Sequence, residues 1–454
     1  MNPTRTNLSR RGFLTLAGTA TAGGVLLSAC APTGGGGDGG GSTMAQPDGT
    51  VPEEYADRQR LVFWSTFTEH NGSIMDGLVE AYNTSQDAVY VEVQVQGGYG
   101  DTFEKVRAGL QAKVVPDLAM VGGSGWTSLY LTSSIASLSE LLGDTVNLYR
   151  PEFVTEGTVR GETYWAPFAR STPLFYYNKD LFAQAGLPDR APETWTELRE
   201  WAPEFQGISS DGKDASLYGF SNQDGDWQFQ GMLWNFGGSA SDGLEVTIDS
   251  AESIATAEYT RSLIWDETGG YMSTDIVGDF QNGLLGAAAM STASLRGLLD
   301  LVDFELGAGF MPSELEAAVP TGGGGIVVLD GIGDERKEAA ADFLTFLAQP
   351  EQSATWTAGT GYILTNKDAE TQQAYTDAVA ETELFTLAAD QLERARPDDA
   401  IRKWIPSVPT DIFGALEQIW GDGTDPAGLF TDLASDLQAV ADDFRETYED
   451  KVAE

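Results

Sequence analysis

Ala166-Pro167-Phe168-Ala169-Arg170-Ser171-Thr172-Pro173-Leu174-Phe175-Tyr176-Tyr177-Asn178-Lys179-Asp180-Leu181 is the stretch on which the fold turns. Two prolines, an arginine and two hydroxyls predict a polar loop. Residues 174–177 are a short apolar and aromatic run suited to a buried strand, and a helix is expected from Asn178. Polar loops tied to rigid strands are where binding groups are presented. Residues 168–173 are therefore expected to cross from one lobe to another. Ser171, with Arg170 beside it, should face the cleft, while Tyr176 and Tyr177 belong to the core.

Upstream, residues 61–66 read as a strand and 72–84 as an amphipathic helix with Ile74, Leu78, Ala81 and Tyr82 on one face. Val89, Val91, Val93 and Val95 alternate with polar residues, the pattern of a half-exposed strand. Glycines around Tyr99 turn the chain, and Asp101 is placed to cap a helix whose stripe includes Phe103, Val106 and Leu110. A third strand, 117–121, runs into the glycine turn 122–126. Strand, helix, strand, helix, strand at this spacing means a parallel sheet with crossover helices. Ligands of such sheets sit beyond the carboxyl ends of the strands, where Tyr99 and Ser124 fall.

Downstream, helices are expected at 195–205, 251–267 and 335–347, strands at 218–221, 286–290 and 326–329, and an aromatic segment at 227–236. Ser291-Thr292-Ala293-Ser294 reads as a polar loop, Thr321 and the four glycines after it as a flexible approach to a strand, and Thr360-Gly361-Tyr362 as a turn. Two helices, near 411–420 and 429–448, close the chain, and no internal repeat is visible.

At the amino end, Arg5, Arg10 and Arg11 precede an apolar run at 13–27 that is too short and glycine-rich to span a bilayer comfortably, so residues 1–29 read as an export signal. Ser9-Arg10-Arg11-Gly12-Phe13-Leu14 resembles a twin-arginine signal. Leu27-Ser28-Ala29-Cys30 resembles a lipobox, in which the cysteine becomes the lipidated first residue. Cys30 is the only cysteine, so no disulfide can form within the chain. The glycine-rich and polar residues 30–60 are expected to be a flexible tether, and a lipidated terminus would hold the protein on the outer face of the cytoplasmic membrane without spanning it.

From about residue 61 the chain is long enough for two or more domains with a large core. The formal net charge is −43, and removing the leader's three arginines makes it −46. So acidic a surface argues against nucleic acid and against electrostatic docking on anionic lipid. A small anionic ligand is still admissible, because distant charges are screened over about 8 Å while arginines in a cleft act locally.

Several segments, in order and at matching spacing, resemble the extracellular solute-binding proteins of carbohydrate-type ABC importers, most of all the glycerol-3-phosphate-binding branch. They are Val62-Phe63-Trp64, Tyr99 in its glycine turn, Ser171-Thr172-Pro173 with Tyr176-Tyr177-Asn178-Lys179-Asp180, Ala289-Met290-Ser291-Thr292-Ala293-Ser294, Gly322-Gly323 and Thr360-Gly361-Tyr362. Together with the lipobox they span nearly the whole chain.

The resemblance implies an α/β, type II periplasmic-binding-protein-like clamshell of two lobes, each a mainly parallel sheet flanked by helices. Lobe one would hold 61–169 and 324–378, lobe two 172–321 and 379–454, with 321–324 as a second crossing. Glycines suit a hinge, and the Gly-Lys-Ser or Gly-Lys-Thr of a nucleotide loop does not follow them. The implied ligand-binding residues are Tyr99, Ser171, Trp227, Ser294, Gly323, Tyr362 and Arg402, set around a glycerol phosphate with the indole under the glycerol carbons and the arginine on the phosphate. Aromatic faces pack on polyol C–H groups, hydroxyls and backbone N–H groups hold the polar edge, and a guanidinium forks onto phosphate oxygens. One position departs from the branch: the glutamate that holds the glycerol hydroxyls is Gly123 here, which points to a different or larger polyol ligand, such as a glycerophosphodiester or a sugar.

The expected function is that of a substrate-binding lipoprotein that captures glycerol 3-phosphate, a glycerophosphodiester or an oligosaccharide by hinge closure. It would deliver the ligand to ABC permease subunits, acting as a monomer with no cofactor, metal or nucleic acid. A secreted glycan-active hydrolase is the rival class. With 69 acidic residues, carboxylate pairs arise by chance and carry no weight. His70 is the only histidine and no nucleophile elbow is evident, so no catalytic residue is assigned and the chain is not expected to be an enzyme. A tethered sensor binding protein would share every feature of a transport receptor.

Overall fold

The computed structural model describes residues 43–210, 212–266 and 269–452; the leader, Cys30 and the glycine run after it lie outside the described residues. Residues 43–60 are not a tether. Met44 N donates to Gly331 O at 2.8 Å, and the Gln46 amide donates to Arg60 O at 2.9 Å and to Asp117 Oδ2 at 2.6 Å. Asp117 is fully buried, where it also accepts from Val62 N at 2.7 Å and pairs with Arg336 at 3.0 Å. A buried carboxylate needs several partners, and the polar composition of this segment supplies one of them rather than leaving the chain in solvent.

Ten strands build two five-stranded sheets: β1 (Gln59–Ser65), β2 (Val89–Val95), β3 (Leu118–Gly122), β4 (Ala166–Ser171), β5 (Pro173–Asn178), β6 (Ser216–Ser221), β7 (Gly270–Ser273), β8 (Leu285–Ser291), β9 (Leu306–Gly309) and β10 (Gly322–Val328). The first sheet runs β2-β1-β3-β10-β4 and the second β7-β6-β8-β5-β9. β1 pairs in parallel with β2 and β3, while β10 is antiparallel to both β3 and β4, so one strand of the five is reversed. The second sheet repeats the scheme with β5 reversed. Each reversed strand is the one by which the chain enters its sheet from the other: β5 starts two residues after β4 ends, and β10 follows Thr321. The carboxyl ends of the co-directed strands in both sheets therefore face the crossings. Gly122 at the end of β3 is paired with Gly324, and Ser291 at the end of β8 with Pro173.

Both crossings are shorter than the sequence predicts. Residues 166–171 form an edge strand rather than a loop, and Pro167 is tolerated because the ladder shifts register beside it, between Gly324 and Gly325. Residues 322–325 are likewise the start of β10. Only Thr172 and Thr321 are left outside strands, and Thr172 Oγ1 donates to Pro320 O at 3.1 Å, tying the crossings together.

Strands buried on both faces read as continuous apolar runs: residues 118–121, all of β5 and residues 285–290 are buried throughout, including Tyr176 and Tyr177. Edge strand β2 keeps the expected alternation only at its start, with Val89 and Val91 buried and Val95 exposed. The glycine turn expected at 122–126 is instead the first turn of a helix, Gly123–Leu131. Asp101 does not cap from outside: it is the third residue of the helix Tyr99–Ala112, and its carboxylate accepts from Gly98 N at 3.2 Å. The closing helices Val408–Asp422 and Pro426–Val452 pack on the second sheet's side, where the Trp420 ring lies 5.1 Å from Phe220 and Phe229 meets Phe430.

Candidate ligand-binding cleft

A cavity of about 390 Å³ opens between the carboxyl ends of the two sheets. Six of the seven residues expected at a ligand site line it: Tyr99, Ser171, Trp227, Gly323, Tyr362 and Arg402. Ser294 does not. The segment expected as a polar loop is a single 3-10 turn, Thr292–Ser294, that puts Ser294 at the cap of the next helix, while Ser291 and Ala293 reach the wall.

Strand β10 explains how the rings come together. A Cβ on Gly322 would lie 2.6 Å from the Trp227 indole, and one on Gly324 would lie 2.3 Å from the Tyr99 ring. Gly323 between them has φ +80°, and a Cβ there would sit 1.9 Å from Ala169 O with the Tyr362 ring 3.3 Å away. Bare backbone at these positions lets three aromatic side chains from three different segments meet at one strand. The Tyr99 and Tyr362 hydroxyls are 3.5 Å apart, and Trp227 Nε1 donates to Thr321 O at 2.8 Å. Burial raises both tyrosine pKa values, so both hydroxyls are neutral donors at neutral pH.

Two of the three cations lining the cavity, Arg402 and Arg170, are held by neighbouring acids, and the third is Lys403. Arg402 is 6% exposed and sits on the short helix Ala400–Trp404 with Nη1 2.9 Å from Asp226 Oδ2. Burial opposes its charge, but Asp226 and Asp398 outweigh that and hold its pKa above the ordinary value. Arg170, 2% exposed, pairs with Glu156 and lies over the Trp165 ring at 4.7 Å. Nε of each guanidinium has no hydrogen-bond partner. Burial raises the Glu156 pKa, with Arg170 pulling the other way.

Acids lining the cleft were not legible in advance. Glu156, Asp224 and Asp398 line it, with Asp226 behind Arg402, and so do Trp126 and Trp165. The usable signal was spacing: Asp224 and Asp226 precede Trp227 by three and one positions, and Asp398 precedes Arg402 by four. Gly123 also lines the cavity. A Cβ there would meet nothing nearer than Asp398 Oδ2 at 4.0 Å, so the position is open and an acidic group from another segment already stands over it.

Two lobes joined by paired crossings around an aromatic and charged cleft define an extracellular solute-binding protein. Residues 77–384 match the family described as bacterial extracellular solute-binding protein, and the chain belongs to that family. Among solved structures, UgpB from Mycobacterium tuberculosis in complex with glycerophosphocholine is similar at 32% identity and a TM-score of 0.81, covering 85% of this chain and 98% of that one. The sn-glycerol-3-phosphate-binding periplasmic protein UgpB of Yersinia enterocolitica is 25% identical over 322 residues, 67% of this chain and 73% of that protein. A cyclic alpha-maltosyl-1,6-maltose binding protein from Arthrobacter globiformis shares the fold at 24% identity and a TM-score of 0.71, over 85% of this chain and all of that one.

Proposed function

We propose that this protein is the solute receptor of an ABC importer and that its cleft captures a glycerol phosphate ester, a glycerophosphodiester before a monoester, by closure of the two lobes. The observation that carries this reading is the convergence of Trp227, Tyr99, Tyr362 and Arg402 on one cavity. The indole face and tyrosine hydroxyls suit the polyol, Ser171 and the Gly323 backbone suit its polar edge, and the Arg402 fork suits a phosphate. The similar UgpB proteins support the class of ligand. Lobe one is taken as 61–169 with 324–378 and lobe two as 172–321 with 379–454, with Thr172 and Thr321 as the hinge points.

The ligand is tested by thermal shift with glycerol 3-phosphate, glycerophosphocholine, maltose and trehalose, since a ligand that binds only the folded state raises Tm. A rise with the phosphodiester supports the reading. A rise with a neutral sugar alone overturns it in favour of the oligosaccharide alternative, which the aromatic and acidic lining would also accommodate. No catalytic role is proposed.

Cys30 is proposed as the lipidation site after export by a twin-arginine signal, which would place the receptor on the outer face of the cytoplasmic membrane beside its permeases. Membrane fractionation of Cys30→Ser checks this: release to the soluble fraction is expected, and continued membrane association contradicts lipidation there.

A further inference from the structure

The two crossings are tied together by a side chain that lies outside the cleft. Gln391 ends the helix Leu384–Gln391, is 0% exposed and does not line the cavity. Both sides of its amide are in use. Nε2 donates to Pro173 O at 2.6 Å and to Thr172 Oγ1 at 3.2 Å, and Oε1 accepts from Met311 N at 2.8 Å. Thr172 Oγ1 donates onward to Pro320 O, just ahead of Thr321. Gln391 thus holds the first crossing directly and the second through a single hydroxyl, and the chain just after it, Ala395–Arg396, pairs in parallel with Val319–Pro320.

The residues around Gln391 sit astride both lobes. Ala388 and Leu392 form a small apolar cluster with Phe153 and Ile363, which fall within the ranges taken for lobe one, and Ile363 N donates to Arg170 O in β4 at 2.8 Å. Phe385, on the same helix as Gln391, joins Leu174 and Tyr176 of β5 in the second sheet's core. Buried donors and acceptors that lose a partner have no water to replace it, so the amide's bonds resist any slippage of Thr172–Pro173 against Met311. Rotation is left to the backbone torsions of the crossings themselves. Ser171 and Gly322, each next to a crossing residue and paired with each other across β4 and β10, line the cavity. Their placement is therefore governed from outside it.

From this network we infer that Gln391 is a positioning residue for lobe closure: its amide pins the axis on which the two crossings turn and so keeps Ser171 and Gly322 in place at the cleft. The inference rests on the proposed reading of two closing lobes and is independent of which ligand they close on.

Interlobe distances test it. Cys30 is the only cysteine, so a Cys30→Ser chain takes spin labels at Asp76→Cys and Glu204→Cys, exposed positions in lobe one and lobe two. Electron–electron resonance on the ligand-free protein is expected to give a broader distance distribution in Gln391→Met, which keeps the side chain's length but loses its amide, than with glutamine in place. Glycerophosphocholine binding should weaken about tenfold in the same variant as preorganisation is lost. Asn83→Leu is the structural control: Asn83 is 3% exposed and its amide bonds only Val91, within lobe one, so Tm should fall while the distribution stays that of the wild type. Thr172→Val, which removes the shared hydroxyl, should broaden the distribution as Gln391→Met does, and decides alone should Gln391→Met not fold. An unchanged distribution in the hinge variants, whatever their Tm, overturns the inference, and so does equal broadening in Asn83→Leu. Broadening confined to the hinge variants in a protein that binds no glycerophosphocholine leaves the inference standing and counts against the proposed ligand alone.

Discussion

Arg402 Nη1 lies 2.9 Å from Asp226 Oδ2, so the cation expected to meet phosphate is already paired inside the protein. The pair has a structural as well as a binding role. Replacing Arg402 with alanine leaves Asp226, only 16% exposed, without its counter-charge, a loss of about 3 kcal/mol by the usual cost of breaking such a pair. Arg402→Lys is the cleaner variant. It keeps the charge but loses the planar fork, and is expected to weaken phosphodiester binding about tenfold to a hundredfold with a small fall in Tm. Unchanged affinity by calorimetric titration would remove Arg402 from the phosphate site.

Trp227 should act through its ring. Trp227→Ala is expected to cost about 2 kcal/mol of ligand affinity. Trp227→Phe keeps an aromatic face but drops the 2.8 Å bond to Thr321 O and should cost about 1 kcal/mol. Equal losses in the two variants would assign the effect to the bond with the crossing rather than to contact with the ligand.

Backbone geometry at the second crossing gives a stability prediction. Gly161 and Gly323 both have φ +80°, but a Cβ on Gly161 meets nothing within 4 Å while one on Gly323 strikes Ala169 O. Gly161→Ala should therefore cost about 1 kcal/mol in urea unfolding, and Gly323→Ala about 3 kcal/mol or more together with lost ligand binding. Similar values for both would mean that β10 relaxes around the added methyl.

Ligand binding should depend on pH through Asp224. Although accessible from the cleft, it is enclosed by the cleft walls, and that desolvation, with the like charge of Asp226 adding to it, pushes its pKa up to about 6. Tyr99 and Tyr362, both neutral at these pH values, line the same cavity as Asp224, and so do Arg170, Arg402 and Lys403. For an acid whose pKa is raised, the carboxylate is present above about pH 6 and is lost as pH falls through that value. The affinity for glycerophosphocholine should therefore change between pH 7.5, where this cleft carboxylate is charged, and pH 5, where it is mostly protonated. Affinities measured at the two pH values check this, and an unchanged affinity contradicts it.

The architecture was legible because buried strands such as 118–121 and 285–290 carry continuous apolar runs, helices such as Tyr99–Ala112 have a periodic apolar face, and Ala251–Trp265 has a capping serine at Ser250. The local misreadings share one cause. Proline, glycine and serine are loop formers by propensity, yet Pro167 sits at a register shift in an edge strand, and Gly322 and Gly324 sit in β10 because aromatic rings cover them. Propensity does not encode which distant ring will lie against a backbone. Six of the candidate site residues were reached through the family resemblance, five of them aromatic, hydroxyl or guanidinium side chains and the sixth the backbone at Gly323. Glu156, Asp224 and Asp398 were not, because each is one acid among 69.

Whether this cleft binds a glycerophosphodiester is decided by calorimetric titration of the protein with glycerophosphocholine. One-site binding that is weakened in Arg402→Lys and Trp227→Ala is the expected result. No binding of glycerophosphocholine by a folded protein that does bind maltose or trehalose would contradict it.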